Sequence, residues 1–120
     1  MTKPINYQKH IDLFAESSAK GFDAALAGDW KENNKWVKKQ IKAFQNIIEI
    51  GEPARLALLD LLTHENLAIA KSAAAYSLKY STDASIKTLN RIAKEPGILG
   101  FEAQQTLARW KDGDWHLDEF

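Results

Sequence analysis

The sequence predicts an all-α protein of about six helices in three antiparallel hairpins, and three observations support this prediction. Apolar residues recur at steps of three and four along most of the 120-residue chain, which is the spacing of one helical face. A unit at residues 53–80 recurs at residues 82–111, and a period of this size is typical of stacked helical hairpins. No segment alternates apolar and polar residues as a half-buried strand would.

The first hairpin is predicted at about residues 4–50. Pro4 suits the first turn of a helix, because its missing N–H would have no intrahelical acceptor there. The apolar positions of this first helix are Tyr7, Ile11, Phe14, Phe22 and Ala25. Gly28 is expected to end it, and Trp30 is expected in the connection, where its ring would plug the end of the helix pair.

The second helix of this hairpin has two contrasting predicted faces. Asn33 or Asn34 is expected to cap the helix, and Gly51 is expected to end it. The buried face is predicted to consist of Val37, Ile41, Phe44 and Ile48. The opposite face steps by three and four through Lys35, Lys39, Lys42, Asn46 and Glu49, which predicts a basic surface in contact with solvent.

The central hairpin, at about residues 53–80, has the clearest pattern. Pro53 is expected in the first turn of its first helix, whose apolar stripe is Leu56, Leu59 and Leu62. The polar residues 63–66 can turn the chain and supply an N-cap. The second helix is expected to bury Ala70, Ala74 and Leu78, and its small side chains would let two helices approach closely.

The third hairpin, at about residues 82–111, is a weaker copy of the central one. Leu59 matches Leu89 at an offset of thirty, and Ala74 matches Ala103 at an offset of twenty-nine. The predicted cap of its first helix is Ser81, Thr82 or Asp83, and Pro96-Gly97 separates its two helices. The tail at residues 112–120 is expected to pack back on the body through Trp115, Leu117 and Phe120.

Composition narrows the class of protein. Sixteen basic and sixteen acidic residues give a formal net charge of zero, which argues against a dedicated nucleic-acid binder. The chain has no Cys, which excludes disulfides and thiolate metal sites. No apolar run approaches the ~20 residues of a membrane span, and no secretory apolar segment follows Met1. We therefore expect one cytoplasmic domain at residues 1–120, monomeric when free and without a membrane partner.

Residues 53–111 resemble HEAT-like repeats, in which a Leu-rich helix is followed by a helix with the pattern Val-Arg-x-x-Ala-Ala-x-x-Leu. Residues 70–78, AKSAAAYSL, fit this pattern with Lys71 at the basic position. Residues 99–107, LGFEAQQTL, lack the basic residue and one alanine. The resemblance implies a right-handed α-α superhelix in which the second helices of the hairpins line a concave surface.

The whole chain is also similar to small bacterial HEAT-like proteins. The residues that support this similarity are LLDLL at 58–62, Ala74, and LARWKDG at 107–113. Proteins of this type include immunity proteins that neutralise a partner toxin, as in contact-dependent inhibition. The resemblance thus implies an immunity function, although a fold does not fix a function by itself.

The sequence contains no complete catalytic or metal-binding motif. His64-Glu65 begins like the zinc-protease motif HExxH, but Ala68 stands where the second histidine is needed. His10 and His116 lie in other predicted elements, so surface or capping roles are expected for all three histidines. There is no Gly-x-Ser-x-Gly elbow and no phosphate-binding loop. We expect neither enzymatic activity nor a cofactor.

The residues expected to bind a partner lie on the outer faces of the second helices. They are Lys35, Trp36, Lys39, Lys42, Asn46, Ser72, Tyr76, Lys79, Tyr80, Phe101, Gln105 and Arg109. A basic and aromatic surface favours protein binding, because Tyr and Arg are frequent hot spots. The open alternatives are a solvated face without function, contact through the acidic tail, a general scaffold, and nucleic-acid binding by the basic face.

Overall fold

A computed structural model of the chain describes residues 6–115, which form six α-helices and one 3₁₀ helix, with no strand among them. The α-helices are α1 (Gln8–Leu26), α2 (Trp30–Ile50), α3 (Glu52–Leu59), α4 (Leu67–Ser77), α5 (Thr82–Ile92) and α6 (Gly97–Lys111), and the 3₁₀ helix is Asp60–Thr63. The all-α class is therefore confirmed for these residues. The predicted helix start at Pro4 and the tail beyond Trp115 lie outside them.

The chain divides between Leu58 and Leu59 into two compact units. In unit 1, α1 packs along α2. In unit 2, α4 packs against the 3₁₀ helix, α5 and α6, and α5 packs against α6. The right-handed superhelix, the three-hairpin pairing and the single domain stay predictions.

The turn between α1 and α2 confirms one prediction and corrects another. Gly28 has φ +74°, a left-handed conformation that favours glycine, and α1 ends two residues before it. The cap of α2 is Asp29, whose carboxylate accepts a hydrogen bond from the Glu32 N–H at 3.1 Å. The predicted cap at Asn33 or Asn34 is wrong, because α2 begins at Trp30.

Two side chains near this turn have roles that the sequence did not indicate. Asn33 Nδ2 donates to the carbonyl of Gly21 at 2.8 Å, which ties α2 to α1. Trp30 is the first residue of α2, and 64% of its surface is exposed. The prediction that its ring plugs the helix pair is therefore wrong.

The buried face of α2 is rotated from the predicted one. Val37 is 38% exposed, whereas Trp36 is only 7% exposed and Ile47 is fully buried. Of the four residues predicted to be buried, Phe44 alone is in the core. The cause is Gln40, a polar residue near the centre of the buried face, whose Nε2 donates to Ser18 Oγ at 2.6 Å. Because this amide has a partner, it can be buried at low cost.

Unit 2 is centred on α4, as the small residues predicted. Ala70, Ala74 and Leu78 have no exposed surface, which confirms the predicted buried face. The Leu stripe before it is wrong at Leu56, which is 54% exposed. The buried residues of α3 are instead Ala54 and Leu58, which are four residues apart, so its inner face is offset from the predicted stripe.

The predicted stops and starts of unit 2 are largely confirmed. Asn66 caps α4, and its Oδ1 accepts from the N–H groups of Ala68 at 3.0 Å and of Ile69 at 3.4 Å. Ser81 occupies the N-cap position of α5 without a capping hydrogen bond from its side chain. Gly97, with φ +76°, begins α6 after the Pro96 break.

Candidate protein-binding surface

No described helix has the length and apolar character needed to cross a membrane. Within residues 6–115, no group of three His, Cys, Asp or Glu residues could hold a metal ion. His64 Nδ1 accepts from the Asn66 N–H at 2.9 Å, so this histidine helps to shape the turn before α4. His10 lies beside Asn46, with 3.4 Å between Nδ1 and Nδ2. His116 lies outside the described residues.

Lysines dominate the exposed side of the first two thirds of α2. Residues 30–42 contain five lysines and one carboxylate, Glu32. Four of the lysines follow one another at i, i+4, i+7 and i+11, which places them on one side of the helix over roughly 16 Å. We call them the lysine row, and they are Lys31, Lys35, Lys38 and Lys42, all exposed.

Most of this positive charge has no carboxylate partner among residues 6–115. Lys35 Nζ lies 3.4 Å from Glu32 Oε1, an exposed contact of the kind that contributes little to stability. Among the described residues, no ion pair engages Lys31, Lys38, Lys39 or Lys42. The outer face of α2 therefore presents a nearly uncompensated row of cations.

Trp36 packs beneath the lysine side chains of this surface. Its ring is buried, and its Nε1 donates to Glu32 Oε1 at 2.9 Å. The ammonium groups of Lys20, Lys35 and Lys39 lie 4.8, 5.1 and 4.8 Å from the ring centroid, within the range of cation–π attraction. The expectation that Trp36 is itself open to a partner does not hold, because α1 and these lysines cover it.

An exposed apolar edge runs beside the lysine row, and the sequence analysis missed it. It consists of Trp30 and Val37, which are 64% and 38% exposed. A separation of seven residues brings both side chains to the same side of α2. The i, i+7 spacing is visible in the sequence, but the apolar pattern predicts Val37 in the interior and Trp30 at the end of the helix pair.

Asn46, also predicted to bind a partner, faces α1 instead of the lysine row. It is half-buried beside His10. The two residues line a pocket of about 290 Å³ together with Glu49 and Ile50. Asn46 therefore helps to join the two helices of unit 1.

Unit 2 contains the other seven predicted binding residues. Phe101 is 58% exposed, and Gln105, Arg109 and Lys79 are also exposed. Ser72 and Tyr80 are half-buried, and Lys79 Nζ lies 5.8 Å from the Tyr80 ring centroid. Tyr76 is also half-buried, and burial raises the pKa of its phenol to about 12.

Several charges of unit 2 are engaged within the unit. The Arg109 guanidinium lies 5.3 Å from the Trp115 ring centroid, and its Nε is 3.6 Å from Asp114 Oδ2. Trp115 Nε1 donates to the Ala75 carbonyl on α4 at 3.0 Å, so the predicted packing of the tail is confirmed at this residue. The predictions for Leu117 and Phe120 lie outside the described residues.

A partly buried ion pair also joins α4 to α6. Lys71 Nζ lies 2.7 Å from Glu102 Oε1, and only 14% of the lysine side chain is exposed. Both this pair and the Trp115 contact link α4 to the region of α6, so they have an evident structural role. That all twelve predicted residues form one continuous surface stays a prediction.

Comparison of the chain with family models, with curated proteins and with solved structures gave no match in any of the three. The HEAT-like resemblance therefore stays a prediction from the sequence.

Proposed function

We propose that this chain is a non-catalytic protein-binding module that engages an acidic partner surface through the outer face of α2. The observation that carries the proposal is the lysine row, of which only Lys35 has a carboxylate partner among the described residues. Like charges along one helix face oppose folding by mutual repulsion. Apart from the contacts of Lys35 with Glu32 and Trp36, the row has no attractive charge contact among the described residues, but it favours the approach of an oppositely charged partner.

The more specific proposal is that the partner is a bacterial toxin and that the chain is its immunity protein. Support comes from the resemblance of residues 53–111 to HEAT-like repeats and of the whole chain to small bacterial proteins of that type. A protein of this kind would act by occlusion, covering the active site or the substrate groove of the toxin. Positive charge on α2 would speed association with an acidic toxin surface.

Co-expression tests this proposal. The reading frame directly upstream of the gene is expressed with and without this chain in a host that lacks both, and growth is measured. We expect the upstream product to arrest growth and this chain to restore it. Continued arrest in the presence of the folded chain would contradict the immunity function.

A charge-reversal pair tests whether α2 makes the contact. The row variant carries Lys31→Glu, Lys38→Glu and Lys42→Glu. The control variant carries the same charge change on exposed lysines of unit 2, namely Lys87→Glu, Lys94→Glu and Lys111→Glu. We expect growth rescue to be lost in the row variant and kept in the control variant. Equal loss in both would assign the effect to net charge.

Nucleic-acid binding is the second candidate, because the lysine row could also contact phosphates. Binding through phosphate contacts would weaken steeply as salt rises. Filter binding at low salt tests it with duplex and single-stranded DNA. Retention that the row variant abolishes would favour this candidate, and absence of retention would eliminate it.

A further inference from the structure

We propose that the element recognised by α2 is an acidic amphipathic helix of the partner, which contacts the lysine row with its carboxylates and the Trp30–Val37 edge with its apolar stripe. This inference rests on the proposed protein-binding function and specifies the chemistry of the partner. It assigns binding roles to Trp30, Val37, Lys31 and Lys38, none of which the sequence analysis placed at the site.

The charged and apolar stripes run side by side along α2. Lys31 follows Trp30 and Lys38 follows Val37, so each lysine is turned about 100° around the axis from its apolar neighbour. The same pairing thus repeats after two helical turns. A partner that used both stripes would need acidic and apolar side chains in the same alternation.

A helix provides this alternation with matching spacing. Steps of three and four residues separate the lysines by about 4.5 to 6 Å along the axis of α2. Carboxylates at i, i+4, i+7 and i+11 of a second helix have the same axial separations. Helices in contact lie about 8–10 Å apart, a distance that lysine and glutamate side chains can bridge together.

The apolar edge distinguishes this partner from a nucleic acid. A duplex backbone would supply anions to the lysine row but no apolar stripe for Val37. Trp30 and Val37 expose 64% and 38% of their surfaces directly beside the row. Aromatic and apolar contacts flanked by charged groups are the usual composition of a protein interface.

The lysine side of the surface is partly preorganised. Lys35 in the row and Lys39 next to it approach the Trp36 ring, at 5.1 and 4.8 Å from its centroid, and this contact restricts their side chains. Trp36 is held in turn by its hydrogen bond to Glu32. Less rotamer entropy is then lost when a carboxylate binds these lysines.

A synthetic peptide tests the inference with the full chain. The probe is a fluorescent peptide of about 20 residues with Glu at i, i+4, i+7 and i+11 and Leu on the adjacent stripe. A second peptide has the same composition in an order that breaks both stripes. We expect the row variant and Trp30→Ala to weaken binding of the first peptide by about tenfold and about fivefold, as measured by fluorescence anisotropy. The control variant and Ile98→Ala, a truncation of an exposed residue of α6, should stay within about twofold of the unchanged chain.

Three results would overturn the inference. Equal binding of the two peptides would show that the α2 surface does not recognise the helical spacing of the acidic and apolar residues. Tighter binding of a duplex of about 20 base pairs than of the first peptide would show that the row recognises phosphates. The third result is that the first peptide fails to bind, although the row variant loses growth rescue and the control variant keeps it. The proposed function would then stand, and only the helical partner would be wrong. If the peptide binds as expected but the chain gives no rescue, the toxin proposal fails and the acidic-helix site stands.

Discussion

The two units of this chain bury their interiors by different means. Unit 1 joins two long helices with large side chains, such as Phe14 and Phe44, and with buried polar contacts, such as Gln40 to Ser18. Unit 2 is built around α4, and most of the buried residues of α4 are alanines. The helices α5 and α6 that pack against it are shorter than α1 and α2. Close packing of small residues leaves little tolerance for added volume, whereas a hydrogen-bonded core depends on keeping polar partners together.

The two units also differ in how their charged side chains are paired. In unit 2, Lys71 pairs with Glu102, and Arg109 lies against Asp114 and Trp115. In unit 1, the lysine row has one ion pair among the described residues, at Lys35. These contacts join elements within unit 2, whereas most of the lysine row has no carboxylate partner among the described residues. This difference supports our proposal that the binding surface is on unit 1.

The largest expected effect is that of Ala74→Arg. Ala74 has no exposed surface at the centre of unit 2, so the substitution forces a charge and a long side chain into a close helix contact. We expect a loss of about 4 kcal/mol or more in the free energy of unfolding, measured with urea. Ala84→Arg, on the exposed side of α5, should change it by about 0.5 kcal/mol or less. Similar values for the two variants would show that α4 is not closely packed.

A pair of glycine substitutions contrasts the units directly. A Cβ on Gly100 would lie 1.8 Å from the Glu95 carbonyl oxygen, so Gly100→Ala must displace the backbone between α5 and α6. We expect it to cost roughly 2 to 3 kcal/mol. On Gly21, a Cβ would lie 3.4 Å from Trp36 Cβ, an ordinary contact, and alanine is the better helix former. Gly21→Ala should therefore stabilise unit 1 by up to about 1 kcal/mol. If it instead lowered the free energy of unfolding as much as Gly100→Ala does, these contact distances would be contradicted.

The polar core of unit 1 should respond asymmetrically to truncation. Ser18 Oγ accepts from Gln40 and donates to the Phe14 carbonyl at 2.8 Å. Ser18→Ala leaves the buried amide of Gln40 without this partner and should cost about 1 to 3 kcal/mol by urea unfolding. Adding Gln40→Leu to it should recover part of that loss, because the amide is then absent. This explanation would be contradicted if the double variant lost more free energy of unfolding than Ser18→Ala and Gln40→Leu lose in total.

The smallest effect at neutral pH belongs to Tyr76→Phe. Because burial raises the pKa of Tyr76 from 10.0 to about 12, the folded state favours the neutral phenol. The stability that this provides is present below pH 10 and is lost as the pH rises towards 12. The unchanged chain should therefore lose roughly 2 kcal/mol more than Tyr76→Phe over this range, as followed by urea unfolding. Parallel curves for the two proteins would contradict the burial of the phenol.

Sequence reasoning worked where local chemistry decides the structure. Gly28, Gly51 and Gly113 end helices in left-handed conformations, as glycine allows. The buried face of α4 is evident because alanines dominate it and the small Ser77 is its one buried polar residue. On α2, by contrast, a buried Gln40 beside an aromatic Trp36 disguised the inner face, since the pattern could not show that Ser18 satisfies the amide.

The sequence predicts only part of the candidate site, because the periodic pattern does not show which side chains are buried. Lys35, Lys39 and Lys42 were assigned correctly to the outer face of α2, because lysine rarely leaves solvent. Val37 was placed in the core, since apolar spacing alone cannot distinguish two neighbouring stripes of one helix. The exposed position of Trp30 depends on the early start of α2 at the Asp29 cap.

The indole N–H signals of the four tryptophans offer the most direct test of the proposal that α2, and not unit 2, binds the partner. In a ¹H–¹⁵N spectrum, the full chain is titrated with the acidic amphipathic peptide. We predict that the signal of the exposed Trp30 shifts with saturation. The signal of Trp115, whose N–H is bonded to the Ala75 carbonyl, should stay in place. A shift of Trp115 or Trp110 with Trp30 unchanged would contradict the claim and move the binding surface to unit 2.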